Sequence, residues 1–187
     1  MTQVNLSLDS GRRHYRYFGR YMLISALLVL LDQLSKHWIE ANMELHTAIS
    51  VSSFFSIVHA HNYGAAFGFL NQAGGWQTAF FASISILVSV VLMVWLKRIA
   101  ATERQLSIAL SFILGGAIGN LLDRLQYNYV VDFLHFFYGQ WQFPAFNFAD
   151  MAISLGAALL LAESFGWKFI ADRGVASESK PDGEHES

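Results

Sequence analysis

From Trp76 to Leu96 the chain reads WQTAFFASISILVSVVLMVWL, a stretch without a single charged residue. A helix needs roughly 20 mostly apolar residues to cross about 30 Å of hydrocarbon, and a helix on a soluble core keeps a polar face. This run has no polar face, so it reads as a membrane span. Three further runs on either side of it reach the same length. Tyr21 to Ile39 is broken by Asp32, Gln33 and Lys36 toward its end. Gln105 to Leu122 carries Gly115, Gly116, Ala117 and Gly119, small residues that let helix backbones approach closely. Phe148 to Ile170 begins beside Asp150 and holds Glu163 and Lys168 near its end. The expected fold is a single membrane α-helical domain with four transmembrane helices, at about 21–39, 76–96, 105–122 and 148–170.

Composition agrees. Of 187 residues 54% are hydrophobic and 14% charged, against about 25% charged in ordinary soluble domains. The net charge of -2 supplies no basic field, which removes nucleic acid as a partner. The absence of cysteine excludes a disulfide framework, a thiolate zinc site and a cysteine nucleophile together. There is no HExxH and no GxSxG motif. His59 and His61, at i and i+2, share one face of a strand; this is a weak metal signal and reads as a pair of interfacial histidines. No metal and no other cofactor is expected.

Direction follows from the placement of Lys and Arg. Arg12, Arg13, Arg16 and Arg20 precede the first run, Lys97, Arg98 and Arg104 lie between the second and third, and Arg173 follows the fourth. The 40–75 loop has neither residue type, and the 123–147 loop has only Arg124. By the positive-inside rule both termini face the cytoplasm and both long loops face outward. The first run is too long for a signal-peptide core and is not followed by a small-x-small site. Residues 1–11 are polar and expected to be loose, and the Ser, Glu and Gly rich tail 174–187 to be disordered. In the outer loop the β-formers cluster over 51–58, which predicts a short sheet cradle on the outer membrane surface. Asn62 to Leu70 then reads as a turn into a small-residue, aromatic-tipped segment that either dips into the interface or covers a site as a flap, the plainer reading being an amphipathic surface patch with no gating role.

Ionisable residues in or beside membrane spans are costly, so each is a functional hypothesis. Asp32 and Lys36 are four apart on one helix face and can neutralise each other. Asp123 and Arg124 are adjacent at the end of the third run, where an arginine neighbour suits anchoring better than proton shuttling. Asp132 stands between apolar neighbours in Val130-Val131-Asp132-Phe133, and Asp150 lies where a helix N-terminus favours a carboxylate. Alone, each acid has an adequate structural explanation. Together, four carboxylates gather near the outer face, and Asp132 and Asp150 are the two lacking an adjacent base. Two close carboxylates cannot both ionise, so one keeps a proton while the other can accept one from water, as peptide hydrolysis without a covalent intermediate requires. A non-enzymatic membrane scaffold or lipid-binding subunit is the alternative. A proton-coupled carrier fits less well, because its acids belong near the bilayer midplane.

The chain resembles the lipoprotein signal peptidases (signal peptidase II) over nearly all of its folded length. The motifs are Asp32-Gln33-Leu34-Ser35-Lys36, Asn62-Tyr63-Gly64-Ala65-Ala66-Phe67-Gly68, Gly119-Asn120-Leu121-Leu122-Asp123-Arg124, Val130-Val131-Asp132-Phe133 and Phe143-Pro144-Ala145-Phe146-Asn147-Phe148-Ala149-Asp150. The resemblance implies a catalytic dyad of Asp132 and Asp150, with supporting or substrate-binding roles for Asp32, Lys36, Asn62, Gly64, Asn120, Asp123, Arg124 and Asn147. It implies an aspartyl endopeptidase of the bacterial cytoplasmic (inner) membrane, cutting prolipoproteins on the N-terminal side of a diacylglyceryl-modified cysteine. Membrane lipid is then a partner, and globomycin-type cyclic peptides are expected inhibitors. Ser35 stands where the family commonly has threonine, and Asn128 where glycine is usual. Asparagine tolerates left-handed backbone angles, so the turn at Asn128 is expected to survive.

Overall fold

Both prolines of the chain lie far along it, at Pro144 and Pro181, so nothing in the first forty residues breaks a helix. Helix α1 runs from Thr2 to Asn42. The stretch expected to be loose is therefore helical from Thr2 onward, and the first span extends at both ends. The computed structural model describes residues 2–64 and 75–172, with side chains from Arg13. Most of the proposed flap and the tail 174–187 lie outside the described residues.

After α1 come strands β1 (Ala48–Ser52) and β2 (Phe55–Asn62), helices α2 (Trp76–Ile99) and α3 (Arg104–Tyr127), strands β3 (Val130–Tyr138) and β4 (Trp141–Gln142), and helix α4 (Phe148–Ser164). Among the described residues, three helical stretches are long and apolar enough to cross a membrane: Arg13–Asn42, Trp76–Ile99 and Arg104–Tyr127. Helix α4 ends at Ser164, short of the expected Ile170. Gly166 turns the chain at φ 76°, and the Trp167 and Gly166 N–H groups bond back to the carbonyls of Ala162 and Glu163 at 2.8 and 3.0 Å. This glycine-terminated pattern satisfies the last helical carbonyls and stops the helix. The segment beyond folds onto the start of α3, where the fully buried Gln105 receives the Phe169 N–H at 2.7 Å and donates to the Trp167 carbonyl at 2.8 Å.

Helix α3 is the centre of the bundle and packs against α1, α2 and α4. Its glycines face neighbours that leave no room for a side chain. A Cβ on Gly119 would lie 2.6 Å from the Asp32 carboxylate, and one on Gly116 would collide with the Ala149 carbonyl. Leu96, Leu110 and Leu114 fill the core near the other end. The outer surfaces of α1 and α2 expose Leu23, Leu27, Leu30, Leu31, Leu87, Val90 and Val91, an apolar belt that only a lipid environment accommodates without aggregation.

The four strands form one antiparallel sheet in the order β1-β2-β3-β4. The expected sheet at 51–58 is thus present, but its other half comes from residues after α3. The ladder between β2 and β3 is irregular between Ile57 and Ala60 and then pairs Ala60 with Asp132 and Asn62 with Val130. Asn128 caps α3 at φ 64°, the left-handed turn its amide side chain tolerates. That turn sends the chain directly from α3 into β3 and so carries Asp132 back over the helix bundle.

Candidate active site

Asp132 and Asp150 arrive at the same place from different elements. Asp132 lies on the third residue of β3 and is 3% exposed. Asp150 is in the first turn of α4, where Asn147 caps the helix. The Asn147 side-chain oxygen accepts the Asp150 N–H at 2.9 Å, and the Asn147 N–H donates to the Asp150 carboxylate at 3.3 Å. This reciprocal capping box fixes the acid at the helix start. The other end of the Asn147 amide donates to Asp132 at 2.7 Å, so one side chain spans both aspartates.

Two more amides complete the grip. Asn62 donates to the second oxygen of Asp132 at 3.0 Å, while its own oxygen receives the Gly64 N–H at 3.0 Å. Asn120 donates to Asp150 at 2.8 Å. Arg124 reaches across with one nitrogen on the Gly64 carbonyl at 3.0 Å and another on the Asn120 carbonyl at 3.2 Å. It thereby holds the two segments that present Asn62 and Asn120. Burial, and secondarily the facing charge of Asp150, pushes the Asp132 carboxyl up to about 7. A carboxyl poised there exchanges its proton at neutral pH.

Beneath this pair lies a layer of opposite character. Lys36 contacts Asp32 at 2.8 Å, Asp123 at 2.9 Å and the Asn120 oxygen at 3.0 Å. Asp32 also accepts the Ala149 N–H at 2.8 Å, and Asp123 accepts the Val131 N–H at 3.1 Å. All three charged groups are essentially buried. The sequence pairs Asp123 with its neighbour Arg124; in the fold its cation is Lys36, because Asp123 and Arg124 are successive helix positions and point apart. Gln33 was not singled out by sequence. It donates to Asp123 at 2.8 Å and to the Gly119 carbonyl at 3.2 Å, and the available signal was an amide inside an apolar run. Ser35 turns its hydroxyl onto the Asp32 carbonyl at 2.7 Å, a bond threonine makes equally well. All ten residues expected from sequence are therefore gathered in one continuous network.

The network opens on a cavity of about 760 Å³ between α2, α3, α4 and the 143–146 segment. Asn62, Asn120, Arg124 and Asp150 line its polar end, and side chains such as Val88 and Ile153 line the rest. That is the size and character of a site for a largely apolar ligand with a few polar anchors.

The chain is similar to known proteins along most of its length. Residues 24–166 match the family described as signal peptidase (SPase) II. The lipoprotein signal peptidase of Alteromonas mediterranea is 48% identical over 86% of this chain and 89% of its own length. That of Shewanella woodyi is 46% identical over 83% and 85%. Among solved structures, a bacterial membrane enzyme determined by the in meso method at 2.3 Å resolution superposes with a TM-score of 0.71 at 28% identity, covering 90% of this chain and 95% of that one.

Proposed function

Since the chain belongs to the signal peptidase II family and is a peptidase that removes signal peptides from prolipoproteins, we propose that Asp132 and Asp150 are the carboxylates that perform the hydrolysis. The observation that carries this assignment is the contrast among four aspartates. Asp32 and Asp123 share the cation of Lys36. The hydrogen-bond partners of Asp132 and Asp150 among the described residues are neutral amides, which leaves that pair free to hold one proton between them.

In the mechanism the scissile carbonyl enters from the cavity side and meets the pair. The ionised carboxylate takes a proton from water as the water oxygen attacks the carbonyl carbon, and the protonated carboxyl donates to the carbonyl oxygen. The resulting tetrahedral diol collapses with rupture of the C–N bond. The leaving nitrogen receives the proton first taken from water, one diol hydroxyl returns its proton to the other carboxylate as the product carboxyl forms, and the dyad is back in its one-proton state. Asn62, Asn120 and Asn147 hold the carboxylates in register, and Arg124 braces the Gly64 and Asn120 backbones that carry two of these amides. Asp32, Lys36 and Asp123 anchor α1, α3 and the start of α4 beneath the site.

The substrate carries diacylglyceryl on the cysteine following the cut. Its acyl chains stay in the bilayer while the adjoining residues occupy the apolar cavity, and globomycin-type cyclic peptides compete for the same space. Helix α4, with 17 residues and about 26 Å of rise, is the fourth span. The basic end of the bundle, where Lys97 lies 5.8 Å over the Tyr15 ring, faces the cytoplasm with both termini. The aspartates and the sheet then lie at the outer face of the cytoplasmic (inner) membrane.

The test is cleavage of a diacylglyceryl-modified lipobox peptide by wild type, Asp132→Asn and Asp150→Asn, with folding of each confirmed by thermal unfolding in detergent. Near-complete loss in both well-folded variants is expected. Comparable turnover in either one removes that aspartate from the chemistry.

A further inference from the structure

We infer that Glu40, His59 and His61 form a binding site for one divalent transition-metal ion of the Zn²⁺ type, tying the end of α1 to β2 beside the proposed dyad. The reading starts from three atoms. His59 Nε2 and His61 Nε2 are 3.2 Å apart, and the same Glu40 oxygen lies 3.2 Å from His61 Nε2 and 3.6 Å from His59 Nε2. Zinc–ligand bonds of about 2.0–2.1 Å at tetrahedral angles put neighbouring ligand atoms about 3.3 Å apart. The triangle therefore matches the edge lengths of one face of a coordination tetrahedron.

The groups behind the triangle are placed as metal sites need them. His59 Nδ1 is 2.9 Å from the Met43 carbonyl. A carbonyl accepts only, so Nδ1 carries the proton and Nε2 presents its lone pair toward the other two residues. The Tyr129 hydroxyl donates to Glu40 at 3.2 Å, and the Tyr129 ring stacks on His61 with centroids 3.6 Å apart. Met43 thus orients His59, and Tyr129 orients both Glu40 and His61. With both imidazoles neutral, the His59 lone pair and the carboxylate compete for the single His61 Nε2 proton, the carboxylate also receiving the Tyr129 hydroxyl. A cation satisfies both acceptors at once, and His61 then presents its own lone pair as third ligand. The His59 side chain is 5% exposed, His61 13% and Glu40 25%, so the site is enclosed on the histidine side and reachable past the carboxylate, with a fourth position left for water.

The site is separate from the dyad yet mechanically joined to it. His61 pairs with Val131 across the ladder, and the next residue, Asn62, donates to Asp132. The irregularity between Ile57 and Ala60 falls at His59, and bulges of this kind re-aim side chains. An ion here fastens β2 at the point where it delivers Asn62. Its role is to position a strand, and it takes no part in the hydrolysis.

The experiment uses the full chain in detergent with any affinity tag removed, dialysed against Zn²⁺ and then metal-free buffer, with bound metal counted per chain; Co²⁺ replaces Zn²⁺ in a parallel sample. One retained equivalent and the intense visible bands of tetrahedral Co²⁺ are expected for wild type, together with a Tm raised by Zn²⁺. His59→Ala and His61→Ala each abolish stoichiometric retention. Tyr129→Phe, which removes only a supporting hydroxyl, weakens affinity about tenfold. His135→Ala, on β3, leaves binding unchanged. Absence of a retained equivalent in wild type overturns the inference regardless of how the variants fold. Unchanged retention in the combined His59→Ala and His61→Ala protein overturns it as well.

Discussion

The two aspartate pairs of this protein sit one above the other and are treated in opposite ways. Below, Asp32 and Asp123 flank Lys36, and backbone N–H groups from Ala149 and Val131 saturate them further. Above, Asp132 and Asp150 are held by Asn62, Asn120 and Asn147. An amide orients a carboxylate while adding no formal charge to keep it ionised, whereas an ammonium does both. The same residue type is thus neutralised by an ammonium in one layer and held by neutral amides in the other.

The strongest way to break this contrast is to neutralise charged groups in both layers and compare. Asp132→Asn and Asp150→Asn should each lower kcat/KM about 10³-fold or more in the lipobox peptide assay, with Tm close to wild type. In the lower layer Lys36→Met should leave two buried acids without their cation and cost roughly 3–5 kcal/mol of stability, read as a large fall in Tm. If Lys36→Met instead abolished turnover with Tm unchanged, the lower layer would belong to the chemistry and the division would collapse.

Smaller changes sharpen the boundary between the layers. Gly119→Ala places a methyl 2.6 Å from the Asp32 carboxylate and should cost about 1–3 kcal/mol through overpacking, again seen by thermal unfolding. Asn147→Ala removes the helix cap and the bond to Asp132 together. A loss of about 1 kcal/mol in stability should accompany a drop in kcat that exceeds any rise in KM, since the residue orients the pair.

The mildest probe is pH. Asp132 titrates near 7 in the fold against an ordinary 3.8, so its proton is present below about 7 and lost above. The one-proton pair is depleted as pH rises, and kcat/KM should fall at most tenfold per unit on the alkaline side. The folded state also binds more protons than the unfolded chain between those two values, so this group's contribution to stability declines as pH rises from about 4 to 7 and is flat above. An activity profile level to well above pH 8 would show that Asp132 does not share the working proton.

Much of this was legible beforehand for a plain reason. Burying or exposing whole helical faces in lipid demands long apolar runs, and those runs are one-dimensional features. Residues 76–96 announce a span by themselves, and the glycines of 115–119 announce close packing. The left-handed turn at Asn128 follows from the side chain that occupies it. The end of α4 was misplaced because an apolar run continues past Gly166, and hydropathy carries no information about a backbone that turns there. Strand β3 was missed because Val130 to Phe133 attracted attention as a motif around an acid, while its ladder partner lies on β2, remote in sequence.

The sequence by itself determined that the chain is a membrane protein and roughly where its long apolar helices run, and it marked four aspartates as groups that need partners, since charge in an apolar run is costly. Only the tertiary structure decided that Asp123 takes Lys36 as its cation, that Gln33 bridges α1 to α3, and that Glu40 turns toward His59 and His61. Those pairings join residues remote in the chain, and a contact between two elements depends on where each backbone is carried in space, which no local pattern encodes.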